Sequence, residues 1–253
     1  MSSLYATPRR VPTLDECLFY HTIDLPGVGL ARGPWDLRGG EDAYLGGIHL
    51  ADRAVLEIGP ASGFLTAHME SAGATVTAVE LGAEDQWDVV PQRTHDLSEI
   101  LHDRIGVMEQ LRNSFWFTHR LLGLSARVHE GSAYALPAEL GRFNVALMGA
   151  ILLHTRSPVA ILERVADQVD DALVIVERHY PELGGAPVCR LEPTAEDGGW
   201  DTWWAFSPEF FTAFAAVLGF PRTDVSFHEQ THRYGDDYRQ KMSLPMFTVV
   251  ARR

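Results

Sequence analysis

Two carboxylates and two glycines mark the first place in this chain where chemistry could occur. In "VLEIGPASGFLTAHMESAGATVTAVEL" an apolar run carries Glu57 and stops at Gly59, Gly63 follows, and a second apolar run ends on Glu80. Gly59 permits a tight turn, and Gly63 permits close approach of backbone to a ligand or of a helix to a strand. A carboxylate about 20 residues beyond such a turn is where an open α/β sheet meets the two hydroxyls of a ribose. Glu57 stands where it could orient loop amides or meet a bound amino group. An ordinary strand–helix turn would explain the glycines but not Glu80 at that distance. A dinucleotide is disfavoured, because Ala61 occupies the position where a pyrophosphate wants bare backbone.

A second set of residues could move protons or hold a polar ligand. His154 lies in "AILLHTRSP", just beyond the apolar run "FNVALMG", and could act as a base or cap the helix that starts near Ser157. Glu177, Arg178, His179 and Tyr180 follow another apolar run. Glu177 could orient His154 or bond to hydroxyls, and His179 is the rival base. Trp116 sits between Phe115 and Phe117, while Trp200, Trp203, Trp204 and Phe206 form a second aromatic group. Such rings could stack on the apolar face of a sugar, although aromatic clusters more often build cores. Trp35, Asp36 and Arg38 could close over a ligand, with Arg38 gripping a carboxylate or merely anchoring its own segment. In "FHEQTHRYGDD", His228 and His232 would align on a helix, but the stretch reads as strand and turn, so no metal site is expected.

The elements that must position these residues follow from periodicity. "AVLEIG" (54–59), "TVTAVE" (75–80), "ARVHEG", "FNVALMG" (143–149) and "ALVIVE" (172–177) are expected to be buried strands. A helix begins near Gly63, a long one spans 96–123, and a third runs through "SPVAILERVADQV" with Pro158 in its first turn. "SPEFFTAFAAVLGF" reads as a helix capped by Ser207 with Pro208 at its first position. "DVSFHE" and "MFTVVAR" close the chain as a strand pair. Alternation implies a mostly parallel sheet covered on both faces, with ligands at the carboxyl ends of its strands, after Ile58, Val79, Met148 and Val176. Residues 1–43, dense in Gly and Pro around "LPGVGLARGPWDLRGG", read as an irregular arm or lid, and 44–253 as the α/β domain.

Composition bounds the partners. At 46% hydrophobic and 22% charged the chain is an ordinary globular one. The formal net charge of −13 disfavours nucleic acid as a partner. No apolar stretch is of membrane-spanning length, and "MSSLYATPRRVPTLDE" lacks the apolar segment of a signal peptide. Cys17 and Cys189 show no metal-ligand spacing. A cytoplasmic protein with a small-molecule partner, no nucleic acid and no membrane is expected. A homodimer is an assembly this expectation admits.

"LEIGPASG" and "VTAVEL" resemble the first two motifs of the class I methyltransferases, which bind S-adenosylmethionine. "EGSAYALP" (130–137) resembles the segment that flanks the adenine, and "FNVALMGAILLHTRSP" (143–158) the fourth strand and its loop. The resemblance covers roughly residues 15–253. It implies a Rossmann-like, seven-stranded, mostly parallel sheet whose final strand is antiparallel, with helical and aromatic lid insertions. It also implies cofactor contacts from Glu57, Gly59, Ala61, Ser62, Gly63, Glu80, Ser132, Ala133, Met148 and Arg38. In two places the chain departs from the pattern: Ala61 replaces a frequent glycine, and Ser132 stands where an acidic residue often meets the adenine amino group. "FYHTIDLPGVG", "WDLR", "LLHTRSP" and "WWAFSPEFFTAFAAVLGF" are similar to a subgroup related to the tRNA wobble-uridine carboxymethyltransferases. Within it, the bacterial sugar O-methyltransferases of methylmannose polysaccharide synthesis fit best. The tRNA substrate is not carried over, because the chain is acidic. The resemblance implies an O-methyltransferase for a small polar acceptor, a carbohydrate hydroxyl or oligosaccharide. The base would be His154, with Glu177 and His179 near it, and Trp35, Trp116, Tyr180, Trp203 and Trp204 would contact the acceptor. RNA or amine methylation, and an inactive cofactor-binding scaffold, are the competing possibilities. Mg²⁺ could assist a sugar diol, but the sequence names no ligand set for it.

Overall fold

The computed structural model describes residues 3–93, 96–196 and 199–253. The N-terminal segment contributes a hairpin, β1 (Ile23–Leu25) and β2 (Gly29–Ala31), the short strand β3 (Trp35–Asp36) and one helical turn, α1 (Glu41–Tyr44). Its apolar side chains Phe19, Ile23, Leu25 and Leu37 are buried in the same cluster as Val55 and Val76 of the sheet. The Gly- and Pro-rich composition here serves tight turns within a packed segment.

Strand–helix alternation then begins. β4 (Ala54–Ile58), α2 (Phe64–Ser71), β5 (Thr75–Glu80), α3 (Leu97–Leu122), β6 (Arg127–Glu130), β7 (Phe143–Gly149), α4 (Pro158–Asp167) and β8 (Val169–Arg178) follow one another. The small pair β9 (Cys189–Leu191) and β10 (Trp204–Phe206) precedes α5 (Pro208–Val217). β11 (Arg222–Tyr234) and β12 (Gln240–Arg252) end the chain as a long antiparallel hairpin.

The main sheet has eight strands in the order β3-β11-β12-β8-β7-β4-β5-β6. β4 to β8 pair in parallel, while β12 is inserted antiparallel between β8 and β11. The resemblance implied seven strands. The eighth is β3, whose Trp35 and Asp36 pair with His232 and Thr231.

The strands bury alternate residues on two faces. Val55, Val76, Ala78, Val145 and Val174 face the side covered by α2, α3 and the N-terminal segment. Leu56, Ile58, Ala146, Leu173 and Val249 face α4 and α5. That is why these strands read as unbroken apolar runs. Local sequence sets the helix ends. The Asp96 carboxylate accepts from the amides of Ser98 and Glu99, at 2.9 and 3.4 Å, and Gly123 at φ 64° ends α3. Ser207 Oγ accepts from the Phe210 amide at 3.2 Å, with Pro208 next in line at the start of α5. Among the described residues no helix is long and apolar enough to cross a membrane.

Candidate functional site

The order of strands reverses between β4 and β7, which is where an open α/β sheet leaves a crevice at its carboxyl edge. A cavity of about 310 Å³ occupies that place. Gly59, Ala61, Glu80, Ser132, Ala133 and His154 line it, together with Trp35 from the N-terminal segment.

The turn after β4 is held in an unusual conformation. Gly59 has φ 73°, Ala61 follows at φ 50°, and Gly63 has φ 80°. A Cβ on Gly59 would lie 2.8 Å from Ile151 Cγ2, a cavity-lining group, so glycine is required by both conformation and space. Gly63 does not line the cavity; a Cβ there would press on Phe115 at 3.2 Å, so its role is to let α2 approach α3. Ser62 is fully buried, and its Oγ accepts from the His21 amide at 3.0 Å. It ties the N-terminal segment to the turn.

Glu80 stands at the end of β5. Its Oε1 accepts from the Leu81 amide at 2.9 Å, and the Ala61 amide also bonds to the carboxyl. Burial pushes its pKa up to about 7 against those two donors and the attraction of Arg112. A carboxylate offers about four lone-pair sites, so two remain for a diol. Glu57 also faces the cavity, but Thr66 Oγ1 on α2 donates to it at 2.5 Å, and among the described residues it orients no loop amide. Burial raises its pKa to about 7. Ser132 Oγ accepts from the Tyr134 amide at 3.3 Å while still lining the cavity. Met148 is fully buried inside β7 and does not reach the cavity. Glu80, the strained turn and the Ser132–Ala133 backbone form a set of acceptors and amides that fits an adenosine moiety.

His154 sits in the turn after β7. Its Nδ1 lies 2.5 Å from the Asp201 carbonyl oxygen. A carbonyl can only accept, so Nδ1 carries the proton and Nε2 is the bare nitrogen of the neutral ring. Burial, with Arg104 nearby, holds the imidazole pKa below its usual value. The ring does not cap α4; the Ser157 amide instead donates to the Tyr134 hydroxyl at 3.0 Å. Glu177 is buried beneath the same turn. Its carboxyl accepts from the amides of Leu152 and Leu153, the latter at 3.2 Å, and burial pushes its pKa up to about 8. It positions the turn rather than facing the cavity.

Several expected contacts lie elsewhere. Arg38 is occupied by Asp36 and Asp24, with its Nε 2.8 Å from Asp36 and Nη1 2.7 Å from Asp24, so it anchors its own segment. His179 is outside the cavity: its amide donates to the Pro245 carbonyl, and its ring lies 4.6 Å from Phe227. The Tyr180 ring packs against the guanidinium groups of Arg178 and Arg190, whose Cζ atoms are 5.2 and 5.4 Å from its centre. Trp116, 2% exposed, packs edge-on to Phe115 in the core. Trp203 and Trp204 spend their indole N–H groups on the carbonyls of Asp88 and Thr155, at 2.6 and 2.9 Å, and neither lines the cavity. His228 Nε2 pairs with Thr248 Oγ1 at 2.9 Å. Among the described residues no three His, Cys, Asp or Glu side chains converge on a metal position.

The cavity also draws on residues that local pattern does not reveal. Tyr20, His21, Tyr44, Trp87, Arg104 and Asp201 line it from separate segments. Asp88 accepts from the Tyr134 hydroxyl and, at 2.7 Å, from the Arg156 amide, joining three loops. The aromatic content of "EDQWD" and the basic residue at 104 are the only sequence signals for this wall.

Comparison with solved structures places the fold. The N-terminal domain of EvdMO1, determined in the presence of SAH and D-fucose, matches with a TM-score of 0.59 at 18% identity, covering 94% of this chain and 92% of that one. An O-methyltransferase family protein from Burkholderia thailandensis matches at TM-score 0.51 and 12% identity, covering 86% of this chain and 56% of the other. Magnesium protoporphyrin IX methyltransferase from Synechocystis PCC 6803, with bound SAH, matches at 0.50 and 12%, covering 81% and 75%. The chain shares their fold. No family model matches the sequence, and no curated protein is significantly similar to it.

Proposed function

We propose that this protein is an S-adenosylmethionine-dependent O-methyltransferase acting on a hydroxyl of a small polar acceptor, a carbohydrate in the first instance. The observation that carries the proposal is that one cavity at the switch point of the sheet is lined by both Glu80 and His154. S-adenosylmethionine supplies a methyl group already activated on a sulfonium, so the protein must bind, align, exclude water and remove one proton. Glu80 would accept from the ribose hydroxyls, and the amides around Ser132 and Ala133 would flank the base. His154 Nε2, kept bare by the Asp201 carbonyl, would take the acceptor proton. Glu177 would hold the turn that carries the imidazole. An amine acceptor would have little use for such a base. The fold match to a domain determined with SAH and D-fucose supports the carbohydrate assignment. Kinship with the sugar O-methyltransferases of methylmannose polysaccharide synthesis belongs to the same proposal, as does the absence of a nucleic-acid partner.

The test is incubation with a labelled methyl donor and a panel of sugars, phenols, amines and tRNA. Label in a sugar is the expected result. Label confined to amines or tRNA would overturn the acceptor assignment, and label in nothing, with tight SAH binding, would favour a scaffold.

A further inference from the structure

The cavity lining contains a guanidinium with unusual surroundings. Arg104, on α3, lies between two indole faces, with its Cζ 4.6 Å from the Trp87 ring centre and 4.2 Å from that of Trp200. Two indoles so close shelter the cation while its N–H groups can still bind. Those groups are unclaimed. Nε is buried without a hydrogen-bond partner among the described residues, and the nearest carboxylate oxygen, Asp201 Oδ2, is 3.9 Å from Nη2. The Trp87 indole Nε1 is likewise buried and unpartnered. Burial makes the charge costly to keep, as the lowered pKa of Arg104 reflects. Among the described residues Arg104 is the only lysine or arginine lining the cavity, and Trp87 stands with its ring centre 5.9 Å from that of His154. The unclaimed donors therefore sit one indole away from the proposed base.

We propose that Arg104 and the Trp87 indole N–H form an anion-binding subsite for the acceptor, so that the substrate is a hydroxylated molecule bearing a carboxylate or phosphate. The inference rests on the methyltransferase reading and narrows its substrate class. A planar fork of N–H donors held between two rings matches two oxygens of one anionic group. Docking that group would set the distance between the acceptor's hydroxyl and His154. The competing role for Arg104 is a latch to Asp201, and the 3.9 Å separation leaves that contact without a hydrogen bond.

Calorimetry with glucuronate, glucose 6-phosphate and neutral methyl glucoside, each titrated with and without saturating SAH, tests the subsite. At least one anion should bind about tenfold or more tightly than the neutral sugar, and the preferred anion tells carboxylate from phosphate. Arg104→Gln should abolish the preference and leave SAH affinity within about twofold. Arg104→Lys, which keeps the charge but not the fork, should retain part of it, and Asp201→Asn should leave it intact or raise it. Equal binding of neutral and anionic sugars, no measurable binding of either anion, or a preference that survives Arg104→Gln overturns the proposal. So does an Arg104→Gln loss confined to SAH, which would assign the guanidinium to the cofactor. Failure of the wild-type protein to bind SAH would instead remove the methyltransferase reading, while an Arg104-dependent anion preference would still stand.

Discussion

His154 and Glu80 carry opposite kinds of information at the scale of single residues. If His154 is the base, the neutral imidazole is the active form, and its pKa lies below the usual 6.5. Turnover should therefore rise with pH through a midpoint below 6.5 and stay level above it. His154→Gln keeps a donor for the Asp201 carbonyl but cannot accept a proton, so turnover should fall by roughly 10²–10⁴-fold with SAH affinity unchanged. Wild-type turnover in that variant would leave the base unassigned, since His179 does not reach the cavity. Glu80→Ala should weaken SAH binding by about 1.5–3 kcal/mol, the scale of hydrogen bonds to a charged group; unchanged affinity by calorimetry would remove the ribose assignment. Both residues could be read from sequence because each follows an apolar run directly. Arg104, Trp87 and Asp201 could not, because they meet only when three distant segments fold together.

The turns at the ends of β4 and β7 do the positioning at the scale of elements. Glu177, beneath the second turn, accepts from two amides of residues 152 and 153. Glu177→Ala should leave those donors unsatisfied and cost about 1–3 kcal/mol of stability. If Glu177 acts through the turn, kcat should fall while SAH affinity holds, and Glu177→Gln, with one acceptor oxygen left, should recover much of kcat. Equal kcat in the alanine variant would show that the turn needs no such support. Most elements were legible from pattern: the 143–149 strand, the long helix within 96–123 and the Ser207 cap all follow from periodicity and end signals. The hairpin was read too short. β11 runs on through "QTHRY" to Tyr234 and β12 starts at Gln240, where backbone pairing joins mostly half-buried polar residues of β11 to a mostly exposed stretch of β12 and leaves no apolar alternation to read. The β1–β2 hairpin and β3 were hidden for a similar reason, since their Gly and Pro content marks turns and not the pairs between them.

Three buried carboxyls set the pH dependence of the whole molecule. Glu57 and Glu80 are pushed up to about 7 and Glu177 to about 8, against an ordinary value near 4.5. Between those values the folded protein binds protons that the unfolded chain does not, so stability falls as pH rises. The buried histidines act in the opposite sense: His21 is lowered to about 4 and His154 is also lowered, so they add stability as pH rises towards 6.5. Above about 7 the unfolded histidines are already neutral, and the carboxyls act with the Cys17 and Cys189 thiols, which burial also raises, in the same direction. Urea unfolding at pH 7 and pH 8.5 should therefore show a loss of up to about 1.4 kcal/mol per pH unit for each group still titrating. A net charge of −13 would add self-repulsion in the same direction. Glu177→Gln separates the two causes, because it removes the buried proton site and hardly changes the total charge. Its stability should vary less with pH across that window than the wild type's. Parallel curves for the two proteins would place the effect in overall charge and leave Glu177 ionised in the fold.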